Sequence, residues 1–320
     1  MPKFWLRLLI LMLMIALLTV LVPSGAMLPD ASAAATGESI MPDPIDIPPL
    51  LPVTLAPLSE PLPKEGAAPY LPKKEAYLKD HAGYVDSTIS VQIKTIRAYR
   101  SVIQLAYIQI ADPSQMRVHL ARPYPSKYTV RADVLAKRVN AVFAINGDYF
   151  TYHGNGVIYR DGKLLRNQPN EQYDTLIIDE KGDLFIISPT TKENIEAYQG
   201  TIVQCFSFGP GLVINGKKQE GFKQKYSIPN SMAQRMGIAQ LGPLSYLVIA
   251  TEGPENKGST GLTMDEFAQL MYDLGAINAY NLDGGSSSSM VLDNRKINAL
   301  STNKVRPISD IIYFATGEAP

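Results

Sequence analysis

The chain has 320 residues, 46% apolar and 19% charged, with 30 basic and 30 acidic side chains that balance to a formal net charge of zero. That is enough for a full hydrophobic core, and the even charge removes the electrostatic footprint of a nucleic-acid binder. A single cysteine, Cys205, excludes a disulfide framework and multi-cysteine metal sites, and three histidines leave little for a histidine-rich one, so chemistry falls to carboxylates, Arg, Asn, Ser and backbone groups.

Lys3 and Arg7 precede an apolar run over residues 8–22, followed by small residues at Pro23-Ser24-Gly25-Ala26 and again at Ala31-Ser32-Ala33. This order is that of an export signal over residues 1–26, either cleaved or retained as a membrane anchor. The basic residues lie on its N-terminal side only, which directs the rest of the chain outward, to the cell surface or beyond. Residues 27–72 hold eleven prolines, six acids and one lysine. Proline at that density favours extended chain with few backbone donors. Residues 27–80 therefore read as a Pro-rich acidic linker, and 81–320 as a single folded domain.

Within that domain, residues 88–96 alternate apolar and polar side chains, the period of a half-buried strand. Strands over 104–110 and 117–121 follow, divided by an Asp112-Pro113-Ser114 turn. Residues 130–139 read as a helix with Val130, Val134, Leu135 and Val139 on one face. A buried strand over 141–145 then runs into Asn146-Gly147-Asp148-Tyr149-Phe150. Asp161-Gly162, Lys181-Gly182-Asp183 and Asn215-Gly216 mark hairpins. Thr263 and Glu266 spell a capping box ahead of Phe267, Leu270, Met271 and Leu274, and Gly275 stops that helix with a left-handed cap. Strands over 279–282 and 309–315 complete the pattern. Two helix-to-strand units separated by hairpins predict an α+β domain of mixed, largely antiparallel sheets with a few helices.

Both helix-to-strand units end in polar clusters. One is Asn146-Gly147-Asp148; the other is Asn281-Leu282-Asp283-Gly284-Gly285 followed by four serines. An apolar strand that ends this way delivers polar groups to a sheet rim. Glycines after Asp283 allow close backbone approach and leave amides for an anion. A lone Asp-Gly-Gly is an ordinary turn; its duplication at a second strand end points to function.

In order, AINGDYF (144–150), SFGPGLVINGK (207–217), QRMGIAQ (234–240), TEG (251–253), GLTMDEFAQLMYDLGAINAYNLDGGSSSSM (261–290) and RPISDIIYF (306–314) resemble the phosphodiester glycosidase family over roughly residues 83–318. The resemblance implies an exported hydrolase that cleaves the glycosidic bond of a sugar-1-phosphodiester in a cell-surface or extracellular polysaccharide. Bacterial members are often labelled exopolysaccharide-related. The alternative is a non-catalytic module that binds glycan, or assists exopolysaccharide assembly, through the same cleft. The expected partner is a glycosyl-phosphate polysaccharide or small glycan, with membrane contact confined to the N-terminal segment and with no nucleic acid, cofactor or metal.

The same resemblance implies site residues. Asp148, Glu252 and Asp283 are the catalytic carboxylates. Arg235 grips phosphate bidentately, Gly284, Gly285, Ser286 and Ser287 add donors, and Asn146 and Asn281 suit sugar hydroxyls or water. A departing phosphate is a weak base, so the site must mainly stabilise oxocarbenium-like charge and hold the leaving group. Two departures stand out: Ala239 where the family has Gly, and Glu252 where it has Asp. Tyr149 suits stacking on a sugar, whereas Phe150 suits the core and Cys205 inert packing.

Overall fold

The computed structural model describes residues 45–152, 154–222, 231–299 and 305–319. The apolar run 8–22 and residues 27–44 lie outside them. Among the described residues, no helix is long and apolar enough to cross a membrane.

Among the described residues, two 3₁₀ turns (Lys74–Ala76 and Lys79–His81) precede β1 (Gly83–Val85), β2 (Ile89–Ala98) and β3 (Ser101–Ile110). β4 (Met116–Leu120) and helix α1 (Ala132–Arg138) lead to β5 (Phe143–Asn146). Then come β6 (Gly156–Arg160), β7 (Lys163–Gln168), β8 (Thr175–Asp179), β9 (Leu184–Ile187), the short helix α2 (Lys192–Glu196) and β10 (Ile202–Ser207). β11 (Gly211–Ile214), β12 (Lys217–Lys218), β13 (Met236–Gly242) and β14 (Ser245–Thr251) precede helix α3 (Met264–Asp273). β15 (Asn278–Leu282), β16 (Met290–Leu292), β17 (Arg295–Lys296) and β18 (Asp310–Phe314) complete the order.

These strands form an eight-stranded sheet, β1-β2-β3-β14-β13-β15-β11-β12, and two five-stranded sheets, β7-β6-β10-β8-β9 and β17-β16-β5-β18-β4. Every ladder among the described residues is antiparallel, the limiting case of the largely antiparallel pairing expected. At Asp161-Gly162 and Asn215-Gly216 both turn residues have positive φ, as a tight hairpin of the favoured hand requires.

The inner faces of all three sheets meet in one core. Val91, Ile108, Ile238 and Val248 come from the large sheet, Leu176 and Phe206 from the sheet of β8 and β10, and Ile145 and Ile312 from the sheet of β5 and β18. Helix α3 covers the other face of the large sheet, setting Phe267, Leu270 and Met271 against Leu105, Ala239, Leu247 and Ala279. Each large apolar side chain so buried contributes about 1.5–3 kcal/mol. The α3 capping box forms as read: Thr263 Oγ1 accepts from Glu266 N at 3.1 Å, and Glu266 Oε2 accepts from Thr263 N at 2.8 Å. Ala239 is thus a core residue beneath α3, remote from any ligand approach.

Two expectations change. Helix α1 begins after Val130, which instead bridges to Ile308 in extended backbone. Its inward stripe is Ala132, Leu135 and Ala136, and this rotation leaves Val134 39% exposed. The second change concerns the linker, because residues 45–80 lie along the domain as a strap. Arg117 donates to the carbonyls of Pro63 at 2.6 Å and Gly66 at 3.2 Å. Leu62 and Ala68 are buried with α1 and β18 side chains. Leu51 exchanges two hydrogen bonds with the Gln92 side chain. Extended chain has no internal partners for its carbonyls, so a neighbouring surface can satisfy them. The strap also explains why Ser90 and Gln92, polar members of an alternating strand, are buried.

Candidate active site

The three sheets converge at the ends of β5, β15, β6, β10 and β18. Asn146, the last residue of β5, donates Nδ2 to the Asp283 carbonyl at 2.8 Å and accepts the Ser289 amide on Oδ1 at 2.9 Å. It holds both ends of the loop that carries the chain from β15 to β16, out of one sheet and into another. Gly147 follows. A Cβ there would lie 2.4 Å from Asp310 Oδ1, so only glycine lets the chain pass this carboxylate.

Asp148 is fully buried, and its Oδ2 accepts the amide of Ser207, the last residue of β10, at 2.9 Å. Arg160, at the end of β6, lies 3.6 Å from Asp148 Oδ1 and 2.6 Å from Oδ2 of Asp310, the first residue of β18. Its guanidinium sits over the Phe206 ring at 4.3 Å and donates to the Cys205 carbonyl at 2.6 Å. Burial raises the Asp310 carboxyl above the ordinary carboxylate value; Arg160 opposes this, and the charges of Asp148 and Asp283 add to it.

Asp283 sits at the accessible edge of this cluster, with Gly284, Gly285 and Ser286. Burial raises its carboxyl too, a hydrogen bond with Ser287 and the Arg306 cation pull it down, and Asp148 pushes it up. Asp148 Oδ1, Asp283 Oδ2 and Asp310 Oδ1 are each buried without a hydrogen-bond partner. Unmet acceptors on carboxylates that feel one another call for donors from outside the chain, such as water or substrate hydroxyls.

The glycine-serine loop differs from the anion cradle expected of it. The Gly285 amide donates to the Gln234 carbonyl at 2.9 Å, and those of Ser287 and Ser288 close a 3₁₀ turn onto Gly284 and Gly285. These amides are therefore committed to the fold. Gly284 is required because a Cβ would lie 2.5 Å from the Gln234 carbonyl oxygen. Behind the loop, the Ser288 carbonyl accepts from Lys296 Nζ and from Asn298 Nδ2. Burial pulls the Lys296 ammonium down to about 7, with Asp133 working against it.

The structure thus brings together Asn146, Asp148, Asp283, Gly284, Gly285, Ser286 and Ser287. Arg235 and Glu252 share the same sheet end but direct their side chains elsewhere. Arg235 donates Nε to the Leu262 carbonyl at 3.0 Å and Nη2 to the Ser231 carbonyl at 2.7 Å. Burial lowers its guanidinium to about 10, partly offset by Glu266. Glu252 accepts from Ser259 Oγ at 2.7 Å; from β14 to β15 is two strand spacings, about 10 Å. Asn281 is buried, with Nδ2 donated to the Gly209 carbonyl at 2.7 Å and Oδ1 unpaired.

Three residues of the cluster escaped the sequence reading. Asp310 and Arg306 lie within RPISDIIYF, where they look like strand and turn residues. Arg306 is exposed, and its Nη1 approaches Ser287 Oγ at 3.4 Å. Arg160 precedes a hairpin turn and carries no local signal at all.

The model of the phosphodiester glycosidase family matches residues 139–315, a stretch that includes every member of this cluster. An uncharacterized prophage-derived protein of Bacillus subtilis strain 168, YomE, is 25% identical over 227 residues, which are 69% of this chain and 35% of that protein. The chain therefore spans about a third of this curated relative, 35% of its length. The fold is similar to that of the zebrafish N-acetylglucosamine-1-phosphodiester α-N-acetylglucosaminidase catalytic domain, auto-inhibited by its pro-peptide. The TM-score is 0.59 at 18% identity, over 79% of this chain and 87% of that one. A hypothetical protein from Synechocystis gives a TM-score of 0.51 at 14% identity, over 71% of this chain and 62% of that one.

Proposed function

Because the chain belongs to the phosphodiester glycosidase family, we propose that it hydrolyses the glycosidic bond of a sugar-1-phosphodiester, with Asp283 facing the anomeric centre. The observation that carries this reading is the meeting of Asp148 and Asp283 at one point, joined through Asn146, with carboxylate oxygens left unmet. In the reaction, the bond between the anomeric carbon and the phosphate oxygen breaks and the phosphate leaves with the electron pair. Water supplies the new oxygen on the sugar, and its surplus proton passes to the departing phosphate or to solvent. The Asp283 carboxylate stabilises positive charge as it develops on the ring. Asp148 and Asp310, clamped by Arg160, sit behind it and keep the field negative.

The departing phosphate needs a cation at the surface. Arg306, exposed beside Ser286 and Ser287, suits that role better than Arg235, whose donors go to backbone carbonyls. The export pattern of residues 1–26 supports a substrate outside the cytoplasm, a glycosyl-phosphate linkage in a teichoic-acid or capsule type of polymer, with that segment engaging the membrane.

The test is an assay of the full chain with a sugar-1-phosphodiester and the matched plain glycoside. Release of phosphate monoester and reducing sugar from the first, with the second untouched, supports the reading. Binding of the phosphodiester without turnover of a panel of such substrates reassigns the cleft to a glycan-binding module.

A further inference from the structure

An aromatic pair stands beside the carboxylates without a part in the bond-breaking step. Tyr149 directly follows Asp148, and the amide of Tyr152 returns to the Tyr149 carbonyl at 3.0 Å to close a turn. The two rings stack with centroids 5.7 Å apart and planes within 13° of parallel. Tyr152 is 73% exposed and Tyr149 half-buried, whereas Phe150 between them, at 3%, fills the core.

The turn is built to hold this arrangement. Arg166 donates to the Phe150 carbonyl at 3.1 Å, and Thr151 and Ser309 hydroxyls meet at 2.7 Å. Tyr149 adopts φ 55°, the left-handed region that is unfavourable for a residue with a side chain. Local strain of this kind persists where surrounding contacts over-determine it, and it gathers at ligand sites. Beneath the pair, Phe150 packs against Tyr124 with ring centroids 6.2 Å apart.

We propose that Tyr149 and Tyr152 form a sugar-stacking platform, a subsite for a pyranose ring of the substrate next to its scissile bond. This rests on the function proposed above. A pyranose presents one face of C–H groups and a rim of hydroxyls; the electron-rich face of a tyrosine ring attracts the former, and its phenol hydrogen-bonds the latter. Tyrosine also orders at low entropic cost, having only two side-chain torsions. Consecutive Cα atoms are about 3.8 Å apart, so the platform begins one residue from Asp148, and Asn146, three residues back, is bonded to Asp283.

The experiment compares full-length wild type with Tyr152→Ala, Tyr152→Phe and Tyr149→Leu. The substrate is the methyl diester of N-acetylglucosamine 1-phosphate. N-acetylglucosamine 1-phosphate itself is the probe for saturation-transfer NMR. Tyr152→Ala should raise KM about five-fold while kcat changes less, and Tyr152→Phe should restore KM because it keeps the ring. Tyr149→Leu, apolar but without a π face, should raise KM at an unchanged melting temperature. Saturation passed from protein aromatic protons to sugar ring protons should fall in Tyr152→Ala and return in Tyr152→Phe. An unchanged KM in Tyr152→Ala, or equal transfer in Tyr152→Ala and wild type, overturns the platform. If wild type turns over no phosphodiester, the hydrolase reading fails, and the transfer experiment alone still decides the platform.

Discussion

Asn146 Nδ2 stands 2.8 Å from the carbonyl oxygen of Asp283, and that bond ties the end of a strand in one sheet to the end of a strand in another. The same side chain receives the Ser289 amide. The loop between Asp283 and Ser289 is therefore gripped at both ends by one residue of β5, which sets where the Asp283 carboxylate points.

Replacing Asp283 by Asn keeps shape and most hydrogen bonding but removes the charge. Both kcat and kcat/KM should fall by about 100-fold or more, because the lost interaction is made chiefly in the transition state. The melting temperature should hardly move, since burial already disfavours this charge in the fold. A folded, fully active Asp283→Asn enzyme would take Asp283 out of the mechanism.

Arg306 and Arg235 should separate cleanly. Arg306→Gln leaves the fold intact, raises KM for the phosphodiester, and removes a cation that pulls the Asp283 carboxyl down. Asp283 then keeps its proton to higher pH, so the acid limb of the kcat profile should move up. Arg235→Lys loses the planar fork that serves two backbone carbonyls. It should lower the melting temperature, with activity following the folded fraction and the acid limb unmoved.

Arg160→Met strands two buried carboxylates and should destabilise the fold by about 3–5 kcal/mol at neutral pH. The sign with pH follows from Asp310. Its native carboxyl is raised, so its contribution to stability is full below the ordinary carboxylate value and is lost as pH rises through the native one. Without Arg160 the native value climbs further. The gap between wild type and variant in urea denaturation should therefore be widest near pH 7 and narrow on acidification.

Lys296 offers a titration in the opposite direction. The unfolded side chain holds its proton to about 10.5, whereas the half-buried one in the fold releases it near 7. Between those values the unfolded chain binds more protons, so stability rises with pH and is lost as pH falls towards 7. Lys296→Met should abolish this slope, worth on the order of 2 kcal/mol after water penetration is allowed for. It should also reduce kcat by loosening the Ser288 carbonyl. Equal slopes in wild type and variant would show that Lys296 is charged in the fold throughout.

What was legible in the sequence was local. The Thr263–Glu266 box, the glycine after α3 and the polar residues ending β5 and β15 each announce themselves within a few positions. Arg160 could not, because its partner Asp310 is 150 positions away and a strand pattern names no cross-sheet neighbour. Arg235 turns away from the cluster for a related reason. Alternation along β13 sends Met236 into the central core, and the preceding side chain turns to the face that α3 covers, where it meets the Leu262 carbonyl. The Pro-rich strap shows the limit of composition. Proline keeps α-helix and central strand out of 45–72, but only the domain surface decides whether such chain floats or docks.

Asp148, Arg160, Ser207, Asp283 and Asp310 are drawn from three sheets, and the last of them opens β18. No hairpin, fragment or half-domain contains the set. β18 docks between β5 and β4, so the carboxylates meet only once strands far apart in the sequence have paired. Freeing any one of these strands from its sheet therefore takes the cluster apart while leaving every carboxylate in the chain.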